Sequence, residues 1–153
     1  MESLHYLLMK SHTLFSQKIF SRALNIGLTP GQPKILEYLI EHDGSDQKTI
    51  SAYCEISQAT VGTILGGMEK SGLIERKQKH GNRRSLYVYL TDKGKKAASK
   101  MALIFAESEQ TALKGFTDEE REQLLILLNK ISATLDAERA ERKEGKPLCD
   151  ELK

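Results

Sequence analysis

The sequence predicts a mainly α-helical fold with one small β-hairpin, and three observations in the middle of the chain lead to that prediction. First, Ser57 can cap a helix whose apolar residues recur at helical spacing, namely Val61, Ile64, Leu65 and Met68. Second, Gly72 follows this helix, where a left-handed C-terminal cap needs a residue without a Cβ. Third, two short strand candidates, 73–77 and 85–90, flank the polar stretch 78–84. A helix followed by a hairpin with a cationic tip is the shape of a winged helix-turn-helix.

Composition excludes several other classes of protein. With 39% hydrophobic and 29% charged residues the chain is too apolar to be disordered, and no apolar run reaches the roughly 20 residues of a membrane span. The first residues lack the basic and then apolar order of a secretory signal. Cys54 and Cys149 are too far apart for a disulfide framework or a metal motif. We therefore expect a cytoplasmic protein without a membrane segment or a cofactor.

The distribution of charge is more informative than the net charge of +2. Between residues 74 and 84 one acid, Glu75, is outnumbered by five cations, which are Arg76, Lys77, Lys79, Arg83 and Arg84. An isolated hairpin of this kind could equally be an ordinary solvated surface. The helix that precedes it favours a surface that binds DNA.

The segments before this helix predict two further helices. Thr29 is expected to cap one of them, with Pro30 at the first helical position and Gln32 completing a capping box. Asp46 is expected to cap a short helix that ends just before Ser57. The short turn between that helix and the next has the helix-turn-helix length, so the second helix is the one expected in the major groove.

Wide apolar stripes predict three long helices outside the winged helix. The last begins at a capping box formed by Thr117 and Glu120, and its apolar seam is Leu124, Leu128, Ile131 and Leu135. We expect the two termini to build a dimerisation arm that sets two recognition helices about one DNA turn apart. The predicted parts are an N-terminal dimerisation helix over 1–27, a winged helix-turn-helix over 28–94, C-terminal dimerisation helices over 95–140 and a charged, frayed tail over 141–153.

The order and spacing of several short segments resemble the MarR (multiple-antibiotic-resistance regulator) family of transcription factors over nearly the whole chain. The segments are Leu28-Thr29 with Gln32 and Leu36, residues 56–61, Leu65, residues 68–76, Arg84 and residues 88–94. The resemblance implies a triangular homodimer with the termini at the interface and a winged helix at each base corner. It also implies regulation of transcription, most often repression relieved by a ligand.

Two departures from the family pattern concern the expected DNA-contacting surface. Asn82 stands where the wing of the family usually carries an Asp that orients the wing arginines. Gly62, Gly66 and Gly67 stand where the family often has Thr, Asp and Arg. Because each glycine inside a helix costs roughly 1 kcal/mol relative to alanine, they predict a softer recognition helix or the close approach of another backbone.

The buried side of the recognition helix determines which residues remain for DNA. These candidates are Ser57, Gln58, Ala59, Thr60, Gly62 and Thr63 on the helix and Lys77, Lys79, Arg83 and Arg84 on the wing. Gln58 can pair bidentately with adenine, and Thr63 can touch a thymine methyl. Ser57 suits a phosphate contact or a plain helix cap. The arginines suit a narrow A·T-rich minor groove and the lysines suit phosphates, whereas Arg76 could instead form a structural ion pair.

The resemblance further implies a small aromatic or lipophilic anion as effector, bound between the arm and the winged helix. Helical position alone selects His12, Phe15, Arg22 and Tyr38 for that site, and a plain core or surface role is the more economical interpretation of each. Two other functions stay open: redox sensing through Cys54, and a winged helix that binds protein instead of DNA. No nucleophile–base pair or glycine-rich phosphate loop indicates an enzyme, and the scattered histidines predict no metal site.

Overall fold

The computed structural model describes residues 1–79 and 81–143, apart from the side chains of Asn82 and Arg83. The predictions that fall on the Arg83 side chain, on Cys149 and on the end of the charged tail therefore lie outside the described residues. The chain divides into two compact units, Met1–Ala112 and Leu113–Lys153. The first unit contains α1 (Leu4–Asn25), α2 (Gln32–Glu41), β1 (Ser45–Asp46), α3 (Gln47–Cys54), α4 (Gln58–Lys70), β2 (Ile74–Lys79), β3 (Asn82–Leu90) and α5 (Asp92–Ala112), and the second contains α6 (Asp118–Lys143).

The predicted fold class, mainly helical with a small β-hairpin, is confirmed. β2 and β3 form the hairpin, and β1 adds a third antiparallel strand on the other side of β3. Both hairpin strands are longer than predicted, since β2 continues to Lys79 and β3 already begins at Asn82. The prediction of a long polar turn over 78–84 is therefore wrong. The polar residues of this stretch belong to the paired strands of the hairpin, which are exposed to solvent there. A strand exposed to solvent does not need apolar residues at alternate positions.

The core of the first unit is formed by α2, α3, α4, the base of the sheet and α5. Its fully buried large side chains include Ile35, Leu36, Leu39, Ile50, Leu65, Met68, Ile74, Val88 and Met101. The N-terminal helix α1 contributes only one buried residue, Ala23, to this core. An ion pair between Arg22 and Glu107 also connects α1 to α5.

Three of the four predicted helix caps are confirmed. Asp46 accepts a hydrogen bond from the Thr49 amide at 2.8 Å, Ser57 caps α4, and Thr117 and Glu120 form the reciprocal capping box of α6. The predicted cap at Thr29 is wrong, because α2 begins at Gln32 after Gly31, which adopts a left-handed φ of 84°. One of the two hydrogen bonds of the predicted capping box is formed, since the Gln32 side chain accepts from the Thr29 amide at 3.0 Å.

The second unit leaves most of its apolar residues in solvent. Within the predicted seam of α6, Leu124 and Ile131 are half-buried while Leu128 and Leu135 are exposed. The helix extends to Lys143, so residues 141–143 of the expected tail are helical. An ion pair between Arg142 and Glu138, one turn apart, supports this last turn. Among the residues described, none of the helices combines the length and apolar character needed to cross a bilayer.

Candidate nucleic-acid interface

The outward side of α4 is fixed by the way α3 and α4 pack into the core. Glu55 joins the two helices in a left-handed conformation with φ of 54°. The buried residues of α4 are Val61, Leu65 and Met68, and Ile64 is half-buried beside them. As a result, the predicted contact residues Gln58, Ala59, Thr60 and Thr63 are all exposed. The structure thus presents the first two turns of α4 to solvent as one polar surface.

The hydroxyl groups at the start of α4 are already ordered by local hydrogen bonds. Ser57 Oγ accepts from the Thr60 amide at 3.2 Å and lies 2.8 Å from Thr60 Oγ1. Thr63 Oγ1 donates to the Ala59 carbonyl at 3.2 Å. Ser57 therefore acts as a helix cap, and Thr63 keeps its methyl group and oxygen lone pairs for a partner.

Gly62 lies where a side chain from α3 crosses α4, and sequence reasoning missed that side chain. Gln47 Nε2 donates to the Gln58 carbonyl at 2.9 Å, and it would lie 3.1 Å from a Cβ built on Gly62. The close approach predicted from the glycines is therefore made by a side chain, not by a backbone. By contrast, nothing lies within 4 Å of a Cβ built on Gly66. Gln47 gives no sequence signal, because its partner is set by the tertiary packing of two helices.

Arg76 connects the wing to the recognition helix. Its Nε lies 2.8 Å from Glu69 Oε2 at the end of α4, which is the structural ion pair that the sequence left open. This hydrogen bond and the charge of the guanidinium hold the pKa of the Glu69 carboxyl below its usual value. The guanidinium of Arg76 is thus paired with a carboxylate of the same protein, and this ion pair fixes β2 against α4.

The two wing lysines are held against tyrosine rings, which sequence reasoning also missed. Lys79 Nζ lies 4.1 Å from the ring centroid of Tyr87, and Lys77 Nζ lies 5.6 Å from that of Tyr89. Lys77 also forms an ion pair with Glu75 at 3.1 Å. The signal that could have found these contacts is the alternation in β3, which puts both tyrosines on the face opposite the buried Val88.

Arg84 is exposed near the start of β3. The structure therefore places most of the predicted contact residues on two exposed surfaces, the start of α4 and the hairpin. Gly62 is the exception on the helix, since it lies half-buried beneath Gln47.

The segment that links the wing to α5 is a structural joint. Thr91 Oγ1 donates to the Gly72 carbonyl at 2.6 Å and accepts from the Gly94 amide at 3.0 Å. Lys93 Nζ donates to the Ser71 carbonyl at 2.6 Å. The start of α5 is thus tied to the end of α4, so these residues support the site without forming part of its surface.

The four residues selected as effector contacts are not gathered at one point. His12 is exposed on α1, ten residues before Arg22 and thus about 15 Å along the helix. Arg22 pairs with Glu107, and Phe15 is half-buried. Tyr38 is buried in α2, where its hydroxyl lies 3.2 Å from Ser45 Oγ.

Cys54 lies in the core at the end of α3. Burial raises the pKa of its thiol above the usual value, and the nearby Glu37 carboxylate adds to that effect while Lys34 opposes it. A protonated, buried thiol is a poor nucleophile. Among the described residues no group of three or more His, Cys, Asp or Glu side chains is placed to hold a metal ion.

Comparison with known proteins identifies the class of molecule that carries this fold and surface. The MarR family model matches residues 28–86. Two curated relatives are the HTH-type regulator YkoM of Bacillus subtilis, 29% identical over 68% of each chain, and BilQ of Clostridium symbiosum, 26% identical over 72% of this chain and 77% of that one. The first is described as uncharacterized.

Solved structures agree in fold. The Staphylococcus aureus MepR–DNA complex superposes with a TM-score of 0.81 at 27% identity, covering 88% of this chain and 99% of MepR. A MarR-family regulator of Listeria monocytogenes in complex with a 26mer DNA gives a TM-score of 0.83 at 24% identity, covering 97% and 98%. Fold and site together define a winged helix-turn-helix transcriptional regulator. Over residues 28–86 the chain is similar to the MarR family, and its sequence and structure relatives include regulators of that family.

Proposed function

We propose that this chain acts as a homodimeric repressor that binds an inverted repeat in double-stranded DNA and is released by a small molecule. The observation that carries the proposal is the exposed polar start of α4 together with a hairpin rich in cations, which the Arg76–Glu69 ion pair ties to the end of the same helix. The MepR and Listeria relatives, both solved with DNA, support it. We place the regulator in the cytoplasm, where its operator is accessible.

The exposed residues of α4 are assigned to base reading and backbone contact. Gln58 is suited to adenine, and Thr63 offers its methyl group to thymine. Ser57 and Thr60 lie beside the free amides at the start of the helix, where a phosphate is favoured by the helix dipole. Since no arginine or lysine lies among these residues, the helix is expected to prefer A·T-leaning half-sites.

The wing, which is the β2–β3 hairpin, supplies positive charge for DNA binding. Arg84 and Arg83 are assigned to the minor groove, whose narrow A·T-rich form attracts arginine. Lys77 and Lys79 are assigned to phosphates on either side of that groove. The affinity of the wing for DNA is then largely electrostatic and falls as salt rises.

Exposed apolar side chains on α1, in the first unit, and on α6, in the second unit, support dimerisation. Exposed large apolar residues on α1 are Leu4, Leu7, Leu8, Met9 and Leu14, and those on α6 are Leu125, Ile126, Leu127, Leu128 and Leu135. Large exposed apolar side chains in such number on one helix are characteristic of surfaces that bind another protein. Burying them between two copies relates the two α4 helices by a two-fold axis, which matches an inverted-repeat operator.

Selection of bound duplexes from a random pool at physiological salt tests the proposal. We expect enrichment of an inverted repeat with half-sites about ten base pairs apart and A·T-leaning. A folded dimer that enriches no sequence would overturn DNA reading and would favour a winged helix that binds protein.

An Arg84→Ala variant tests the assignment of the wing on the selected operator. Losing one phosphate or groove contact should weaken binding and lower the slope of log K against log salt by about 0.9. Lys100→Ala, which removes an exposed charge from α5, is the matched control and should change neither quantity. An unchanged slope in Arg84→Ala would contradict the wing assignment even if operator binding is confirmed.

The buried position of Cys54 and the raised pKa of its thiol disfavour redox sensing as the main regulatory mechanism. Similarity to a family of transcriptional regulators favours the DNA-binding function over an enzyme or a protein-binding module.

A further inference from the structure

A groove on the outer side of α2 encloses a cavity of about 390 Å³ within the first unit. It is lined by Glu37, Ile40, Glu41, Tyr53, Ala98, Ala102, Phe105, Ala106 and Glu109. These residues come from α2, the last turn of α3 and the middle of α5. None of the four residues selected from the sequence for an effector belongs to this lining.

The walls of the groove are apolar and aromatic. Tyr53 is 60% exposed and Ile40 is 46% exposed, although both belong to helices that pack into the core. Phe105 is half-buried against that core, and three alanines of α5 form an open floor between the side chains. The volume falls within the range of about 300–1,000 Å³ that is typical of small-molecule sites.

The rim of the groove carries only negative charge. Three carboxylates, Glu37, Glu41 and Glu109, line it, and no lysine, arginine or histidine does. Among the residues that the structure describes, none of these three side chains has an ion-pair or hydrogen-bond partner. Burial and repulsion from Glu109 raise the pKa of Glu37, while Lys34 opposes that rise only in part. A cation in the groove would relieve this repulsion.

We propose that the groove binds a small lipophilic organic cation, with its apolar part between Tyr53 and Phe105 and its charge between Glu37 and Glu109. Aromatic faces attract cations, most strongly where the site is partly desolvated. Charge complementarity selects against anions, so this ligand differs in class from the anion that the family resemblance implies. A binding site for a cation in this position adds a regulatory input that the DNA surface alone does not contain.

Tyr53 connects the groove to the DNA-reading helices. Its ring packs on that of Tyr38 with centroids 4.6 Å apart, and Tyr38 stacks on His42 at the same distance. Tyr53 lies in the last turn of α3, two residues before Glu55 and five before the start of α4 at Gln58. A ligand that moves Tyr53 therefore acts on the turn between the two helices. This regulatory step rests on the proposed DNA-binding function, whereas the binding step does not.

Calorimetric titration of the full chain with tetraphenylphosphonium tests the binding step. Tetraphenylborate, an anion of the same shape, separates charge from apolar contact. We expect the phosphonium to bind and the borate not to bind in the groove. The double variant Glu37→Gln/Glu109→Gln should bind the phosphonium about tenfold more weakly, as expected for the loss of two partly exposed ionic contacts. The double variant Glu122→Gln/Glu141→Gln, which removes two exposed charges from α6, is the matched control and should bind like the wild type.

Tyr53→Leu provides a second measurement that does not alter the charge. It should weaken phosphonium binding several-fold through the loss of the aromatic ring that packs on the apolar part of the ligand. Equal phosphonium affinity in the wild type and the Glu37/Glu109 variant would overturn the site, as would no binding by the folded wild type. Operator binding measured without any cation distinguishes the two proposals. Phosphonium binding without DNA binding would refute the proposed function alone, and DNA binding without phosphonium binding would refute this site alone.

Discussion

The α-carbon of Gly94 lies directly against the backbone carbonyl of Leu73. A Cβ at residue 94 would overlap that carbonyl oxygen and would lie 3.0 Å from the carbonyl carbon. The same oxygen accepts a hydrogen bond from the Thr91 amide at 3.1 Å. The first turn of α5 is thus seated on the backbone that leads into β2, and only glycine permits this contact.

Replacing Gly94 with alanine should destabilise the protein by about 3 kcal/mol, because an added methyl group in a packed backbone contact forces the two segments apart. Urea unfolding followed by circular dichroism measures the change in the free energy of unfolding. The substitution should also loosen the hairpin, because Thr91 donates hydrogen bonds to the Gly72 and Leu73 carbonyls at the same contact. A variant as stable as the wild type would contradict this account of the joint.

Gly66→Ala is the matched control for that experiment. Gly66 lies inside α4 with nothing within 4 Å of a built Cβ, so alanine meets no obstacle there. Because alanine is favoured over glycine inside a helix, this variant should gain up to about 1 kcal/mol. If the two substitutions change the free energy of unfolding with opposite signs, packing requires glycine at residue 94 and does not require it at residue 66.

Local sequence patterns predicted the elements whose causes are local. Ser57, Asp46 and Thr117 form hydrogen bonds with amides three residues or fewer away, so the helix starts could be read from spacing. The predicted start of α2 is wrong because Gly31 adopts a left-handed φ, and the helix begins two residues later than predicted. The candidate site was less predictable. Contacts between Gln47 and Gln58 or between Lys79 and Tyr87 join different elements, and no single periodicity encodes them.

The Tyr87 ring should position Lys79 for a phosphate contact. Replacing Lys79 with alanine should weaken operator binding and reduce the salt slope by about 0.9. Tyr87→Leu should weaken binding by a smaller factor, because the ammonium group loses its aromatic support 4.1 Å away. Tyr87→Phe keeps the ring and is the control. If Tyr87→Leu and Tyr87→Phe bind alike, the ring does not position Lys79, whatever Lys79→Ala shows.

The Asp46 cap should make stability depend on pH in the acidic range. The hydrogen bond from the Thr49 amide lowers the pKa of the Asp46 carboxyl below its usual value of 3.8. A carboxyl with a lowered folded-state pKa stabilises the fold fully above its unfolded pKa, and this contribution is lost as pH falls through the folded value. Asp46→Ala should cost about 1 kcal/mol at pH 7 and a smaller amount below pH 3.8.

Asp46→Asn is the control for the cap, since its amide oxygen can still accept from Thr49 but does not titrate. It should retain most of the stability at pH 7 and lose the acid dependence that Asp46 contributes. Thermal unfolding at several pH values between neutral and acidic provides the comparison. An Ala variant that differs from the wild type by the same amount at every pH would show that the carboxylate charge does not contribute to the cap.

The buried Cys54 thiol should react slowly with alkylating reagents. Burial raises its pKa, which lowers the thiolate fraction near neutral pH, and the core excludes the reagent. In a Cys149→Ser background, where Cys54 is the remaining cysteine, iodoacetamide should modify the native protein on the order of tenfold more slowly than the urea-unfolded protein. Mild oxidant should leave operator affinity unchanged in the same background. Rapid modification of the native protein together with loss of operator binding would restore Cys54 as a redox sensor.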